Sequence, residues 1–334
     1  MPTHFTRRQV LVQAASTALA VGIGLPAMAQ SSASKTITLL VPYPAGGASD
    51  FVARKLQPDL SSKLGQTMMV DNIGGAGGSI GLMKALGAAP DGHMIVAGTP
   101  MELMLTPLAI QGIRYKPDDF RLAAQLISTN MVLAVRPNLD VKSVEDLIAL
   151  ARKSADKPLS YGSVGPGSMY HLIGEKFAQV TKTKLLHVPY RGIANVIPDL
   201  IGGQIDMAFL PMAGPVMPTI ADGKLKALGI TAKAPHPLFR QYPGMASMPG
   251  LSEMEFDLWL GLQVAKGTPD DVVNRLNKTA YEVMQNAELR KALEATGNAI
   301  LAPRSVAELA RIYASETERY NAIARSINLQ PQAQ

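Results

Sequence analysis

Val41-Pro42-Tyr43-Pro44-Ala45-Gly46-Gly47-Ala48-Ser49-Asp50 joins an apolar, strand-like run (Ile37–Val41) to a helical pattern that opens near Ala48 or Ser49. A strand that passes through a Gly-Gly turn into a helix aims backbone N–H groups and the positive end of a helix dipole at one point. That suits a carboxylate or a phosphate. The prolines stiffen the approach, and the glycines admit a ligand close to the main chain. The same pattern also serves as a plain turn, so the rest of the chain has to decide between the two.

Outward from this stretch, apolar runs alternate with helical periodicity. After the first strand, residues 49–64 read as a helix, 67–71 as a strand and 78–86 as a helix. Pro90-Asp91-Gly92 then turns the chain into a strand at 93–97. This βαβαβ order predicts parallel pairing with helices on both faces. The Asn72-Ile73-Gly74-Gly75-Ala76-Gly77-Gly78 segment lacks the spacing and the following acidic residue of a dinucleotide loop, and reads as a strand-to-helix turn. A second α/β series opens with a strand at 131–135. In it, Ser143 caps a helix with Asp146 at the third helical position. Strands at 159–163, 185–188, 205–210 and 225–231 follow, with helices at 169–180 and 193–201. After a strand at 258–264 the chain is mostly helical, at 270–285, 287–295 and 305–327.

Within the second series, Ser163-Val164-Gly165-Pro166-Gly167-Ser168-Met169-Tyr170-His171 again places glycines and a hydroxyl where a strand becomes a helix. Ser168 is suited to cap that helix and to offer its N–H and hydroxyl to an anion. Two such loops, one in each series, would face each other across a cleft and grip a small acid between two lobes.

The N-terminus carries Thr6-Arg7-Arg8-Gln9-Val10-Leu11, a small apolar run over 12–25, and Pro26-Ala27-Met28-Ala29. Paired arginines, a short Ala/Gly-rich segment and an Ala-x-Ala ending predict a twin-arginine export signal over residues 1–29, cleaved after Ala29. The mature chain is then expected in the periplasm. Cleavage lowers the formal charge of +6 by two, to +4, and leaves about 305 residues, enough for two lobes. That dispersed excess, with no basic run, argues against nucleic acid. The absence of cysteine excludes disulfides and thiolate chemistry. With 47% hydrophobic and 17% charged residues, the chain can bury a large core.

Over nearly its whole mature length the chain resembles the Bug-type extracytoplasmic solute receptors of tripartite tricarboxylate transporters. The resemblance rests on the opening loop, on Val70-Asp71-Asn72 with Gly75-Ala76-Gly77-Gly78, on Pro90-Asp91-Gly92, and on Gly165-Pro166-Gly167-Ser168 with His171. It extends through His187-Val188-Pro189-Tyr190-Arg191-Gly192, Gly202-Gly203-Gln204-Ile205-Asp206, and Trp259 with Gly267-Thr268-Pro269. It implies an α/β fold of the type II periplasmic binding protein class, two lobes around a central cleft. Residues 36–130 and 258–334 would form one lobe and 131–257 the other. It also implies capture of a small organic acid, one carboxylate being held by the two loops partly through water. Delivery would be to the permease subunits of a tripartite transporter, by a monomer without cofactor or metal. The implied ligand-binding residues are Tyr43, Ala45, Gly46, Gly47, Asp50 and Thr99 on one side, and Ser163, Gly165, Gly167, Ser168, His171 and Asp206 on the other.

Several of these have plainer readings. Asp50 can be a helix-dipole partner, His171 a capped interior histidine, Tyr190 and Arg191 turn residues, and Trp259 core. Glu102, in the segment after the third strand, departs from the family pattern. Near a carboxylate site it would repel a second carboxylate and favour an amine or hydroxyl; on a helix start it would simply be solvated. Ser163, Ser168, His171 and Asp206 could be assembled into a hydrolase triad, but no Gly-x-Ser-x-Gly elbow is present, and the five histidines lack paired metal-ligand spacing on a helix. A receptor feeding a sensor rather than a permease is the other reading in view, and no enzyme is expected.

Overall fold

A computed structural model describes residues 35–236 and 239–333. The export signal expected over residues 1–29 lies outside the described residues. From Thr36 onward the chain forms a single compact unit.

The first strand, β1 (Ile37–Val41), is buried at four of its five positions and lies between β2 (Met68–Asn72) and β3 (Met94–Gly98), parallel to both. Helix α1 (Ala48–Leu64) connects β1 to β2 and buries Val52, Ala53, Leu56, Leu60 and Leu64 at helical spacing. It ends at Gly65, whose left-handed φ of 66° closes the last turn. Helix α2 (Ser79–Gly87) then leads to β3. The expected βαβαβ pairing is therefore present, in the spatial order β2-β1-β3.

Past β3 the backbone makes one π-turn, Met101–Leu105, continued by the short helix α3 (Thr106–Ala109). The wide turn swings Glu102 inward, where it is fully buried. The next strand is longer than the sequence suggests. The reading above begins a strand at 131, whereas β4 runs unbroken from Phe120 to Val135. Its polar stretch Ser128-Thr129-Asn130 hid the first part. Thr129 is buried there because its hydroxyl meets Asn298 at 2.6 Å.

Strand β4 organises the whole sheet. Residues 120–130 pair antiparallel with β9 (Asp257–Ala265), down to Asn130 opposite Asp257. From Met131 to Val135 the same strand pairs with β7 (Met207–Pro211) and with β8 (Lys226–Ile230). Strand β5 (Leu159–Ser163) joins β7, and β6 (Leu185–Pro189) joins β5, both in parallel. The short strand β10 (Ala299–Ile300) pairs back with β4 at Ile127 and Ser128. The change of partners between Asn130 and Met131 divides the sheet into two halves with one strand in common.

Helices cover both faces. Helix α4 (Val144–Lys153) is capped by Ser143, whose hydroxyl accepts the Asp146 N–H at 3.1 Å; the Asp146 carboxylate takes the Lys142 N–H at 2.9 Å and not that of Ser143. Helices α5 (Met169–Thr181), α6 (Ile193–Ile201) and α7 (Val216–Ala221) belong to the second half. Helices α8 (Asp270–Val283), α9 (Ala287–Glu294) and α10 (Val306–Ser326) close the chain. Trp259 is core, fully buried, with its indole N–H donated to Glu316 on α10. Beyond α10, Gln332 pairs with Ile110, donating its N–H to the Ala109 carbonyl at 2.9 Å and accepting from Gln111 at 3.0 Å.

Candidate functional site

The β1–α1 loop is built from inside. The buried Asp50 carboxylate accepts the Gly46 N–H at 2.8 Å and the Arg54 guanidinium N–H at 3.0 Å. Burial pulls its pKa up, but the bonds from Arg54 and Gly46 outweigh it and hold the carboxyl below the usual range. Asn72 braces the loop from the next strand, donating to the Tyr43 carbonyl at 3.2 Å. Gly46 holds φ at +84°, a conformation glycine adopts freely. Gly47 is the N-cap of α1 with no side chain to cap it, so the first N–H groups of a 17-residue helix stand without intrahelical acceptors.

Those groups open into a cleft of about 970 Å3. Tyr43, Ala45, Gly46, Gly47, Ala48 and Ser49 line it from one side, with Thr99 and Met101 from the segment after β3. From the other half come Gly165, Gly167 and Ser168, and the turn that starts α6, Arg191 to Ala194. Helix α6 also begins at a glycine, Gly192, without a side-chain cap. Two uncapped helix N-termini, one from each half of the sheet, therefore open into the same cleft, and Arg191 is the one charged side chain among the lining residues. Elsewhere Ser143, Asn286 and Ser305 cap their helices with side-chain oxygens. The halves touch where Gly167 packs on Ala109; a Cβ on Gly167 would lie 1.8 Å from that of Ala109.

Of the residues singled out from sequence, Tyr43, Ala45, Gly46, Gly47, Thr99, Gly165, Gly167 and Ser168 line the cleft, and Asp50, Ser163, His171 and Asp206 do not. Asp50 lies behind its loop, taken up by Gly46 and Arg54. Asp206 ties β5 to β7: it accepts the Ser160 N–H at 2.8 Å and Ser160 hydroxyl at 2.9 Å, and pairs with Arg136 at 2.9 Å. Ser168 is the expected cap of α5, but its hydroxyl is spent within the loop, donated to the Gly165 carbonyl at 2.7 Å while accepting the His171 N–H at 3.3 Å. Arg191 and the start of α6 were read as a turn. The signal they share with the first loop is a helix that starts at glycine with no Ser, Thr, Asp or Asn to cap it, a signal that α2 also carries at Gly78.

Behind the second loop lies a second network. Ser163, fully buried, has its Oγ 2.6 Å from His187 Nε2 and accepts the Gly165 N–H at 3.0 Å. His171 Nδ1 accepts the Gly167 N–H at 3.1 Å, and the two imidazoles pack with ring centroids 4.3 Å apart. The residues of the imagined triad are thus dispersed among structural bonds. His187 and Ser163 meet, but outside the cleft lining.

Burial pushes the His187 pKa from 6.5 down to about 4, helped by His171 and opposed by Glu175. Burial lowers that of His171 as well. A base with a lowered folded-state pKa takes up its proton more readily when unfolded, so its contribution is complete above the ordinary value of 6.5 and is lost progressively as pH falls from there to about 4. The thermal midpoint should fall over this window, and His187→Gln should fall less steeply than wild type. Parallel profiles for the two proteins would show that the imidazole titrates as freely in the fold as out of it.

Residues 52–329 match the family described as Tripartite tricarboxylate transporter family receptor. Protein BugT of Bordetella pertussis is 30% identical over 280 residues, 83% of this chain and 84% of BugT. Among solved structures, an R. palustris protein with adipate superposes with a TM-score of 0.78 at 28% identity, covering 89% of this chain and 99% of that one. MatC from Rhodopseudomonas palustris with bound malate gives 0.74 at 26% identity, covering 86% and 98%.

Proposed function

This chain belongs to the tripartite tricarboxylate transporter receptor family, and from that premise we propose that it captures a small carboxylate-bearing metabolite in the cleft between its two halves and delivers it to the family's membrane permease. The observation that carries this reading is the convergence of two uncapped helix N-termini, α1 at Gly47 and α6 at Gly192, with Arg191 as the only charged lining side chain. Every fixed charge of that arrangement is positive, so the ligand's recognised end is an anion. The neighbours solved with adipate and malate hold ligands of this class.

In this reading the ligand-binding residues are Tyr43, Ala45, Gly46, Gly47, Thr99, Gly165, Gly167 and Ser168, joined by Ala48, Ser49 and Arg191. Residues 36–130 and 258–334 act as one lobe and 131–257 as the other, hinged where β4 changes partners. Ligand bridges the two, so binding favours the closed form, and closure presents loaded receptor to the permease. The receptor works as a periplasmic monomer after twin-arginine export, and osmotic-shock fractionation tests that location.

Calorimetry and thermal shift on the mature chain test the capture itself. A carboxylate at about 100 times its dissociation constant should stabilise the fold by about 2.7 kcal/mol, while the matching primary amide should do so far less. Equal shifts from acid and amide would show that the cleft does not recognise the charge.

A further inference from the structure

The wall of the cleft opposite the second loop contains the hydroxyls of Tyr43, Ser49, Thr99 and Thr106, and two of them, Tyr43 and Thr99, are committed to a further residue that the cleft does not expose. Glu102 lies behind them with no solvent exposure. Its Oε2 accepts the Tyr43 hydroxyl at 2.5 Å and the Thr99 hydroxyl at 2.7 Å, and its Oε1 accepts the Thr99 N–H. The Thr99 hydroxyl in turn accepts the Met101 N–H at 3.2 Å. Tyr115 fixes the turn by donating to the Glu102 carbonyl at 2.5 Å. Two glycines pack closely on Glu102: a Cβ on Gly78 would come within 2.6 Å of the Glu102 Cβ, and one on Gly98 within 3.1 Å of its Oε1. Among the described residues no lysine, arginine or histidine forms an ion pair with it.

We propose that Glu102 is a specificity-determining residue acting through Tyr43 and Thr99: by drawing both hydroxyl protons to itself it leaves these two hydroxyls as acceptors only, so the cleft selects a monocarboxylate that carries a neutral or donor group, such as a hydroxyl, over a dicarboxylate. The inference rests on the carboxylate reading above. A ligand's first carboxylate is served by the helix ends at Gly47 and Gly192. Its far end meets hydroxyl oxygens whose protons point away from it, backed by an unpaired buried carboxylate. A second carboxylate there would find neither of these two hydroxyls free to donate and would face the Glu102 carboxylate behind them in a medium of low polarity. A hydroxyl would donate to the oxygens it meets. Burial raises the Glu102 pKa, and the bonds from Thr99 and Tyr43 oppose that rise. Glu102 does not touch the ligand in this scheme, so it is a positioning residue, and the measurement that identifies it is a change of preference and not of stability.

Hexanoate, 6-hydroxyhexanoate and adipate share one six-carbon chain and differ only at the far end, so calorimetry on the mature chain with these three separates the questions. Wild type should bind 6-hydroxyhexanoate most tightly and adipate least, by roughly tenfold or more. Glu102→Gln, which removes the charge and keeps the shape, should raise adipate affinity relative to hexanoate by about tenfold. Tyr43→Phe, which keeps the ring and removes the hydroxyl, should reduce the preference for 6-hydroxyhexanoate over hexanoate and does not depend on E102Q folding. Adipate binding to wild type as tightly as 6-hydroxyhexanoate would overturn the role of Glu102 while leaving carboxylate capture intact. No detectable binding of any of the three would overturn both.

Discussion

Gly47→Val should lose at least about a hundredfold in affinity for any carboxylate the wild type binds, with the folded state nearly undisturbed. Gly47 sits at φ −80° and ψ 174°, extended backbone that valine adopts as readily as glycine, and a Cβ there would meet only the Pro44 carbonyl, at 3.5 Å. Valine is a poorer N-cap than glycine, a cost of well under about 1 kcal/mol. The side chain would instead stand in the cleft, over the N–H groups of Ala48 and Ser49. Two hydrogen bonds to a charged group, each worth about 1.5–3 kcal/mol, make the loss about 3 kcal/mol or more, which is the hundredfold. Calorimetry and denaturant melts on the same preparations read both quantities. Affinity within about twofold of wild type would mean that the α1 terminus does not hold the ligand. The neighbouring Gly46 is the converse case. Nothing lies within 4 Å of its missing Cβ, and its φ of +84° is what calls for glycine.

The second large effect is expected at Gly167→Val, by a different route. Its φ of +74° strains any β-branched residue by roughly 1–2 kcal/mol, and its Cβ would lie 1.8 Å from that of Ala109, so the two halves of the molecule must part at that point. Affinity should fall by tenfold or more, roughly 1.4 kcal/mol, because the closed arrangement is the one penalised. Small-angle scattering in the presence of ligand should give a larger radius of gyration than wild type. Ala109→Gly in the same chain removes the clash and should recover part of the affinity, leaving the backbone strain. A variant that closes and binds like wild type would show that the Gly167 contact plays no part in closure.

Much of this was legible in the residues. Leu159–Ser163 and Ile193–Ile201 read correctly to the residue, the first as Leu159 and Tyr161 alternating with small residues and the second as an apolar periodic run, each ended by turn formers. The opening loop was legible because Pro, Gly and helix periodicity meet within ten residues. The first part of β4 was not, since Gln125, Ser128, Thr129 and Asn130 look like a surface loop until Asn298, Tyr281 and Arg304 arrive from far along the chain to bond them. The site shows the same boundary. A sequence names the hydrogen-bonding groups but not which of them are already satisfied: Asp50 and Asp206 read as ligand-binding, and both carboxylates lie outside the cleft lining with their bonds made inside the fold. Glu102 was read as either facing the cleft or solvated, and it is neither.

Strand β4 carries one more consequence. It is an interior strand in both halves of the sheet, paired on both sides at Ile127 and Ser128 and again from Val132 to Val135. A cut at its midpoint would leave each fragment with a truncated central strand and an open edge, so neither half is a self-sufficient folding module. If the lobes move as proposed, the molecule is one body when it melts and two when it works: a single cooperative unit in thermodynamics, with its mobility confined to the twist of a strand that never comes apart.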